Sequence, residues 1–199
     1  MAGRLAGVDF GSKTSGTTVL AVMTDRTIEI VQSEKGADAD AWLHKEAEKH
    51  PLELVAFDAP LSLPGALRGL AGYANFHYRQ ADLQSHAMSP MFLGGLTARA
   101  IQWAHLAQQR GTAIIEAYPK LVAQHLALDM RRYKKDASYL EAATGVVKAH
   151  LNELTSLSTL PTPLNWHQFD AVLALCTAVR FSQGKAVPLG DKEEGVLYF

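Results

Sequence analysis

Short apolar runs separated by polar turns pattern the first part of the chain. Arg4–Phe10, Thr17–Met23 and Thr27–Gln32 are rich in aliphatic and β-branched residues and read as strands. The last two flank Thr24-Asp25-Arg26 and therefore read as a hairpin. Gly11 to Gly16 is a polar, glycine-bounded turn. Asp38–Lys49 sets Trp42, Leu43, Glu46 and Ala47 at three-to-four spacing and predicts a helix, ended by Pro51. Leu52–Phe57 predicts a fourth strand, Leu96–Arg110 a helix capped by Gly111, and Thr112–Glu116 a fifth strand. Between them, Ala59 to Gly95 has weak periodicity and carries Pro60, Pro64 and Pro90. Such a span is too long for an ordinary connection and predicts an insertion or lid at about 60–95 with short helices of its own.

The later part is mainly helical. Pro119–Met130 and Asp136–Leu154 flank the basic link Arg131-Arg132-Tyr133-Lys134-Lys135. Asn165, with Gln168 three residues on, has the form of a helix cap. The segment from Trp166 to Val179 is apolar nearly all round, which predicts a buried helix. Val187–Phe199 predicts a closing hairpin or sheet edge, and Val196-Leu197-Tyr198-Phe199 is a candidate edge for homo-oligomer pairing. This order fits an α/β fold with a mixed five-stranded sheet: an antiparallel half, then crossovers that lay strands 4 and 5 parallel to strand 1, in the order 3-2-1-4-5.

Bulk composition narrows the function classes only a little. The 199 residues suit one domain with a real core, and no second boundary is visible. A net charge of -1 gives no global attraction to nucleic acid or anionic membrane, so a nucleic-acid partner would need a local basic patch. The single cysteine, Cys176, excludes an internal disulfide and a Cys-rich zinc site. No apolar run reaches the roughly 20 residues that span a bilayer, and the N-terminus lacks a signal-peptide pattern. The expected setting is cytoplasmic, with no membrane partner.

Carboxylates carry the candidate chemistry. Leu5–Val8 leads into Asp9, Leu52–Phe57 into Asp58 and Thr112–Ile115 into Glu116, so three strand patterns end in an acid. Asp170 is the one acid within the apolar helix pattern, where an unpaired charge is costly. In open α/β sheets, chemistry gathers outside the carboxyl ends of parallel strands. Acids meeting there repel one another unless protons or hard, oxygen-seeking cations intervene, which points to Mg²⁺ or Mn²⁺. Each acid also has a structural alternative: a turn, a loop cap, a surface ion pair, or a partner for a buried base.

Several segments, taken in order, carry a family resemblance. They are Gly7-Val8-Asp9-Phe10-Gly11, Phe57-Asp58-Ala59-Pro60-Leu61-Ser62-Leu63-Pro64, Glu116-Ala117-Tyr118-Pro119, Tyr133-Lys134-Lys135, Phe169-Asp170-Ala171 and Gly190-Asp191-Lys192-Glu193-Glu194-Gly195. Together they resemble an uncharacterised family of predicted nucleases with a ribonuclease H-like fold. The resemblance implies that Asp9, Asp58 and Asp170 ligate metal, two ions by family analogy, with Glu116 completing or supporting a catalytic set that hydrolyses phosphodiester bonds.

Other residues are candidates for holding substrate. Arg68 and Arg79 lie in the insertion, where Tyr73 to Arg79 mixes aromatics with a base. Arg131, Lys134 and Lys135 belong to the strongest basic patch, and Lys13 lies in the polar turn. His167, three residues before Asp170, is a candidate for proton transfer or a solvent-facing first-turn residue. The segment Asp9 to Thr18 also resembles the phosphate hairpin of actin-like ATPases and sugar kinases, an alternative nucleotide-binding phosphotransferase reading. A non-catalytic interaction module of the same fold is the third reading. A P-loop is excluded, because Gly7 and Gly11 are one residue too close and Lys13 does not follow a glycine.

Overall fold

Three β-rich runs form a meander: β1 (Arg4–Asp9), β2 (Val19–Thr24) and β3 (Thr27–Gln32), with both neighbouring pairs antiparallel. The structure, a computed structural model, describes residues 4–199. Helix α1 (Ala39–Lys49) starts on Asp38, whose Oδ1 accepts from the N–H groups of Asp40 and Ala41. It crosses to β4 (Leu52–Asp58), which lies parallel to β1. Helices α2 (Gln80–Ser85), α3 (Pro90–Leu93) and α4 (Gly95–Gln109) lead to β5 (Ala113–Ala117), parallel to β4. Next come α5 (Pro119–His125), α6 (Leu140–Thr155), α7 (Trp166–Ser182), and the hairpin β6 (Pro188–Asp191) and β7 (Gly195–Tyr198).

The sheet order is β3-β2-β1-β4-β5-β7-β6. The expected ribonuclease H-like order 3-2-1-4-5 is therefore present, and the C-terminal hairpin extends it. Strand β7 pairs parallel with β5 on one side and antiparallel with β6 on the other. The segment Val196–Phe199 is thus not a free edge, and Leu197 is 1% exposed. Among the described residues no helix is long and apolar enough to cross a membrane.

Alternation along the strands divides the core in two. Leu54, Ala56, Ile115 and Ala117 face the layer containing α5, α6 and α7, while Val55 and Phe57 face the layer of α1 and α4. Helix α7 lies against β1 at Gly7. A Cβ there would come 2.1 Å from the Leu175 nitrogen and 2.2 Å from the Ala171 oxygen, so only glycine permits this approach. Helix α5 is shorter than the predicted Pro119–Met130, because Ala127 takes a left-handed φ of 54° and turns the chain. Leu128 and Tyr133 are thereby delivered into the core.

The segment 59–94 is anchored by buried charge. Arg79, 1% exposed, directs all five of its N–H donors at acceptors. Nε and Nη2 reach Asp82, Nη2 and Nη1 reach Glu116, and Nη1 also reaches Ser62 Oγ. Buried Glu194 accepts from the N–H groups of Gly65 and Gln80. Arg68 donates to the carbonyls of Glu193 and Glu194, which fastens this segment to the β6–β7 turn. Arg79 and the Nη1 of Arg68 are thus engaged in holding the insertion. Substituting Arg79→Lys keeps the charge but loses the fork. We expect a destabilisation of about 1–3 kcal/mol, the cost of buried acceptors left unmet, read as a lower urea midpoint. An unchanged midpoint would mean that the fork carries no stability.

Candidate metal centre

The ends of β1 and β4 are in register, so Asp9 and Asp58 lie side by side on parallel strands and project to one face. That face is the one covered by α7. Its N-terminus is set by Asn165, whose Oδ1 accepts from Gln168 N at 3.0 Å, while Gln168 Oε1 accepts from Leu164 N. This start places Asp170 one turn into the helix, and the Gly7 approach brings that turn down onto β1. One carboxylate oxygen from each of Asp9, Asp58 and Asp170 lies within 4.8 Å of the others. Asp170 is 1% exposed, and the side chains of Asp9 and Asp58 are partly buried.

Glu116 is not a fourth member. It pairs across the sheet with Phe57, one residue before Asp58, so alternation sends it to the opposite face. There both its oxygens are held by Arg79, and Leu61 N adds a further hydrogen bond at 2.8 Å. Strand β5 runs on to Ala117, and it is this alanine that occupies the acid-facing position.

Two residues from the basic link join the acids. Tyr133 donates its hydroxyl to Asp170 Oδ1 at 2.5 Å. The Lys134 ammonium pairs with Asp170 Oδ2, which is otherwise without a hydrogen-bond partner. Lys134 takes a left-handed φ of 63°, a departure that lets two successive residues address one carboxylate. On the other side, His167 Nδ1 lies 2.8 Å from Asp9 Oδ2, with its ring half exposed. Arg131 and Lys135 point to solvent, and Arg131 has Asp129 only at 3.9 Å. Lys13 pairs with Asp38 at 3.1 Å, in a turn whose Gly11 N–H is taken by Thr18 Oγ1. Arg99 forks onto Asp40 and donates to the Gly11 carbonyl, fixing the loop that follows Asp9.

The electrostatics follow from three acids sharing one lysine. Burial, then the neighbouring Asp9 and Asp170 charges, push the Asp58 carboxyl well above the ordinary carboxylate range. No hydrogen-bond donor reaches the Asp58 carboxylate among the described residues. Burial raises Asp170 to about 6, even against the opposing pull of Lys134. Burial works against the Lys134 ammonium, but Asp170, Asp58 and Asp9 outweigh it and its pKa rises. The hydrogen bond to Asp9 raises His167, and burial followed by Asp170 raises Tyr133. A hard divalent cation fits this donor set: three convergent oxygens, one of them on a carboxylate with no donor, and excess negative charge.

A pH dependence follows. The folded state holds protons on Asp170 more tightly than the unfolded chain, whose carboxyl titrates near 3.8. Between those two values the ion-free protein loses stability as pH rises, because the folded form binds the extra proton there. A cation must displace that proton, so its stabilising effect grows as pH rises through about 6 and then levels. We expect the rise in melting temperature with saturating Mn²⁺ to be larger at pH 8 than at pH 5. A rise independent of pH would place the ion elsewhere.

No curated protein matches the sequence. Among solved structures, one described as the Thermus thermophilus RuvC structure is similar, at 19% identity and a TM-score of 0.46, over 94% of this chain and 98% of that one. Residues 95–195, about half of the chain and including Asp170, match the model of a family described as Protein of unknown function (DUF429). The chain belongs to that family.

Proposed function

We propose that this chain is a divalent-metal-dependent nuclease that hydrolyses phosphodiester bonds at the Asp9–Asp58–Asp170 group. The observation that carries this reading is the convergence of those carboxylates, with oxygens within 4.8 Å, at the carboxyl end of a ribonuclease H-like sheet. Mg²⁺ or Mn²⁺ bound there would polarise a phosphoryl oxygen and supply hydroxide at neutral pH.

The chain's own residues have separable tasks. Asp58 offers a carboxylate that no donor has claimed. Tyr133 fixes the rotation of Asp170 by donating to Oδ1, which leaves Oδ2 facing the site. Lys134 balances Asp170 when no cation is bound, and its half-exposed side chain is free to swing to a phosphate oxygen once one is. His167 holds a proton at Nδ1 against Asp9, where it can be passed to a departing oxygen. The basic residues Arg131 and Lys135 flank Lys134 in the sequence and would follow a phosphate backbone entering from that side. In this reading the chain acts as one domain, with segment 59–94 forming a wall beside the acids.

The test is Mn²⁺-dependent cleavage of a labelled panel: single-stranded, duplex and branched DNA, RNA, and a hybrid. We expect cleavage of at least one substrate that requires the ion and is lost in Asp170→Asn. Activity that survives in Asp170→Asn, or no cleavage across the panel, would contradict the proposal.

A further inference from the structure

A cavity of about 220 Å³ opens beside Asp9 and Asp58, and its character differs from that of the acids. Its walls are apolar: Phe10, Pro60, Ala87, Met88, Leu93 and Leu96. Arg79, Asp82 and Glu116 also line it, and every guanidinium donor there is already used. Among the described residues, the lining leaves no free cation to hold a phosphate. The cavity therefore suits an uncharged body attached to a phosphodiester that lies on the carboxylates. Its volume falls below the roughly 300–1,000 Å³ of pockets that enclose drug-sized ligands, which suits one ring system with its sugar outside. The same segment also carries an exposed aromatic face. Phe92, next to Leu93, is 67% exposed, with its ring centre 6.4 Å from that of His77 and 6.0 Å from that of Tyr78.

We infer that this cavity takes the base of one unpaired nucleotide, the nucleotide whose phosphodiester lies on the Asp9–Asp58–Asp170 group. This rests on the nuclease reading and gives it a substrate class: strands with unstacked bases, read by shape and stacking rather than by sequence. A base inside a duplex is unavailable to such a cavity unless it is drawn out of the stack, at a cost in unpairing. The same chemistry occurs in a small aromatic phosphodiester, so the test includes both sources.

The experiment compares binding of labelled oligothymidylate with that of an equally long, base-free abasic oligomer, by fluorescence anisotropy in Ca²⁺ to avoid turnover. The two carry the same phosphate charge. We expect the base-bearing strand to bind about 5- to 160-fold more tightly, the range for stacking one base. In Ala87→Trp, which narrows the cavity from a wall residue that is not one of the three acids, the ratio should fall towards one while Mn²⁺ binding by electron paramagnetic resonance stays unchanged. Competition by the 4-nitrophenyl ester of thymidine 5′-monophosphate at the affinity of the whole strand would assign the cavity to a single nucleotide ester. Weaker competition would assign it to a strand. Equal binding of the two oligomers to the unaltered protein, with Mn²⁺ binding intact, overturns this inference alone. Absence of Mn²⁺ binding overturns the nuclease reading beneath it.

Discussion

Gly7→Ala should be among the most destabilising single substitutions in the chain. A methyl group at this position meets main-chain atoms of Leu175, Ala171 and Ala174 at 2.1 to 2.7 Å, and backbone cannot rotate aside as a side chain can. Overpacked side chains typically cost about 1–3 kcal/mol. The main-chain clash puts this substitution at or above the top of that range. For a chain of this size, that corresponds to a fall in melting temperature of roughly 6–12 °C. The second consequence is functional. Moving α7 off β1 moves Asp170 away from Asp9, so the variant should also lose Mn²⁺-induced stabilisation while it is still folded. Thermal unfolding with and without Mn²⁺ measures both effects. A variant as stable as the parent would show that α7 does not rest on β1 at this residue.

Asp58→Asn should separate stability from function. Among the described residues the Asp58 carboxylate receives no donor, and Asp9 and Asp170 repel it, so neutralising it relieves strain in the ion-free protein. We expect a higher melting temperature at pH 8 without metal. Cleavage should meanwhile fall by more than about 100-fold, since partners that merely orient metal ligands already cost 10–100-fold. Most substitutions of a buried structural acid do the opposite and lower stability. A variant less stable than the parent at pH 8 would identify Asp58 as a structural residue. Full activity in that variant would remove it from the chemistry.

Much of this architecture was legible in the residues, because the relevant signals are local. Apolar and β-branched runs marked the strands, and the lone acid on an apolar helix marked Asp170 as unusual. The strand-end acids Asp9 and Asp58 converge because β1 and β4 lie parallel and in register. Glu116 shows where such reading fails. Strand β5 continues one residue further than its apolar run suggested, and a one-residue difference reverses the face. Arg79 was open to a substrate-holding role because its saturation depends on Glu116, 37 residues away. Tyr133 stood within a recognisable segment, but its partner Asp170 is equally distant, and nothing local aims a tyrosine at an aspartate. His167 carried a signal in its spacing from Asp170, yet the structure pairs it with Asp9, 158 residues away. The early end of α5 had no local breaker in Leu126-Ala127-Leu128. Burial of Leu128 and Tyr133 sets that turn, and burial is a tertiary quantity.

The same accounting explains the division of labour around the sheet. On one face, burial and the neighbouring acids raise the pKa values of Asp58 and Asp170 and leave a place for a cation. On the other, a saturated arginine pairs with two acids and fastens the 59–94 segment to the core. The protein thus places one acid group to be costly in the absence of metal and a second to be structurally quiet.

The central claim is that Asp9, Asp58 and Asp170 together hold a divalent cation, and titration of Mn²⁺ followed by electron paramagnetic resonance at pH 8 tests it most directly. The account predicts saturable loss of the free-ion signal with the unaltered protein and none at comparable concentrations with Asp58→Asn. Binding that is absent from the parent, or equal in the two proteins, would contradict it.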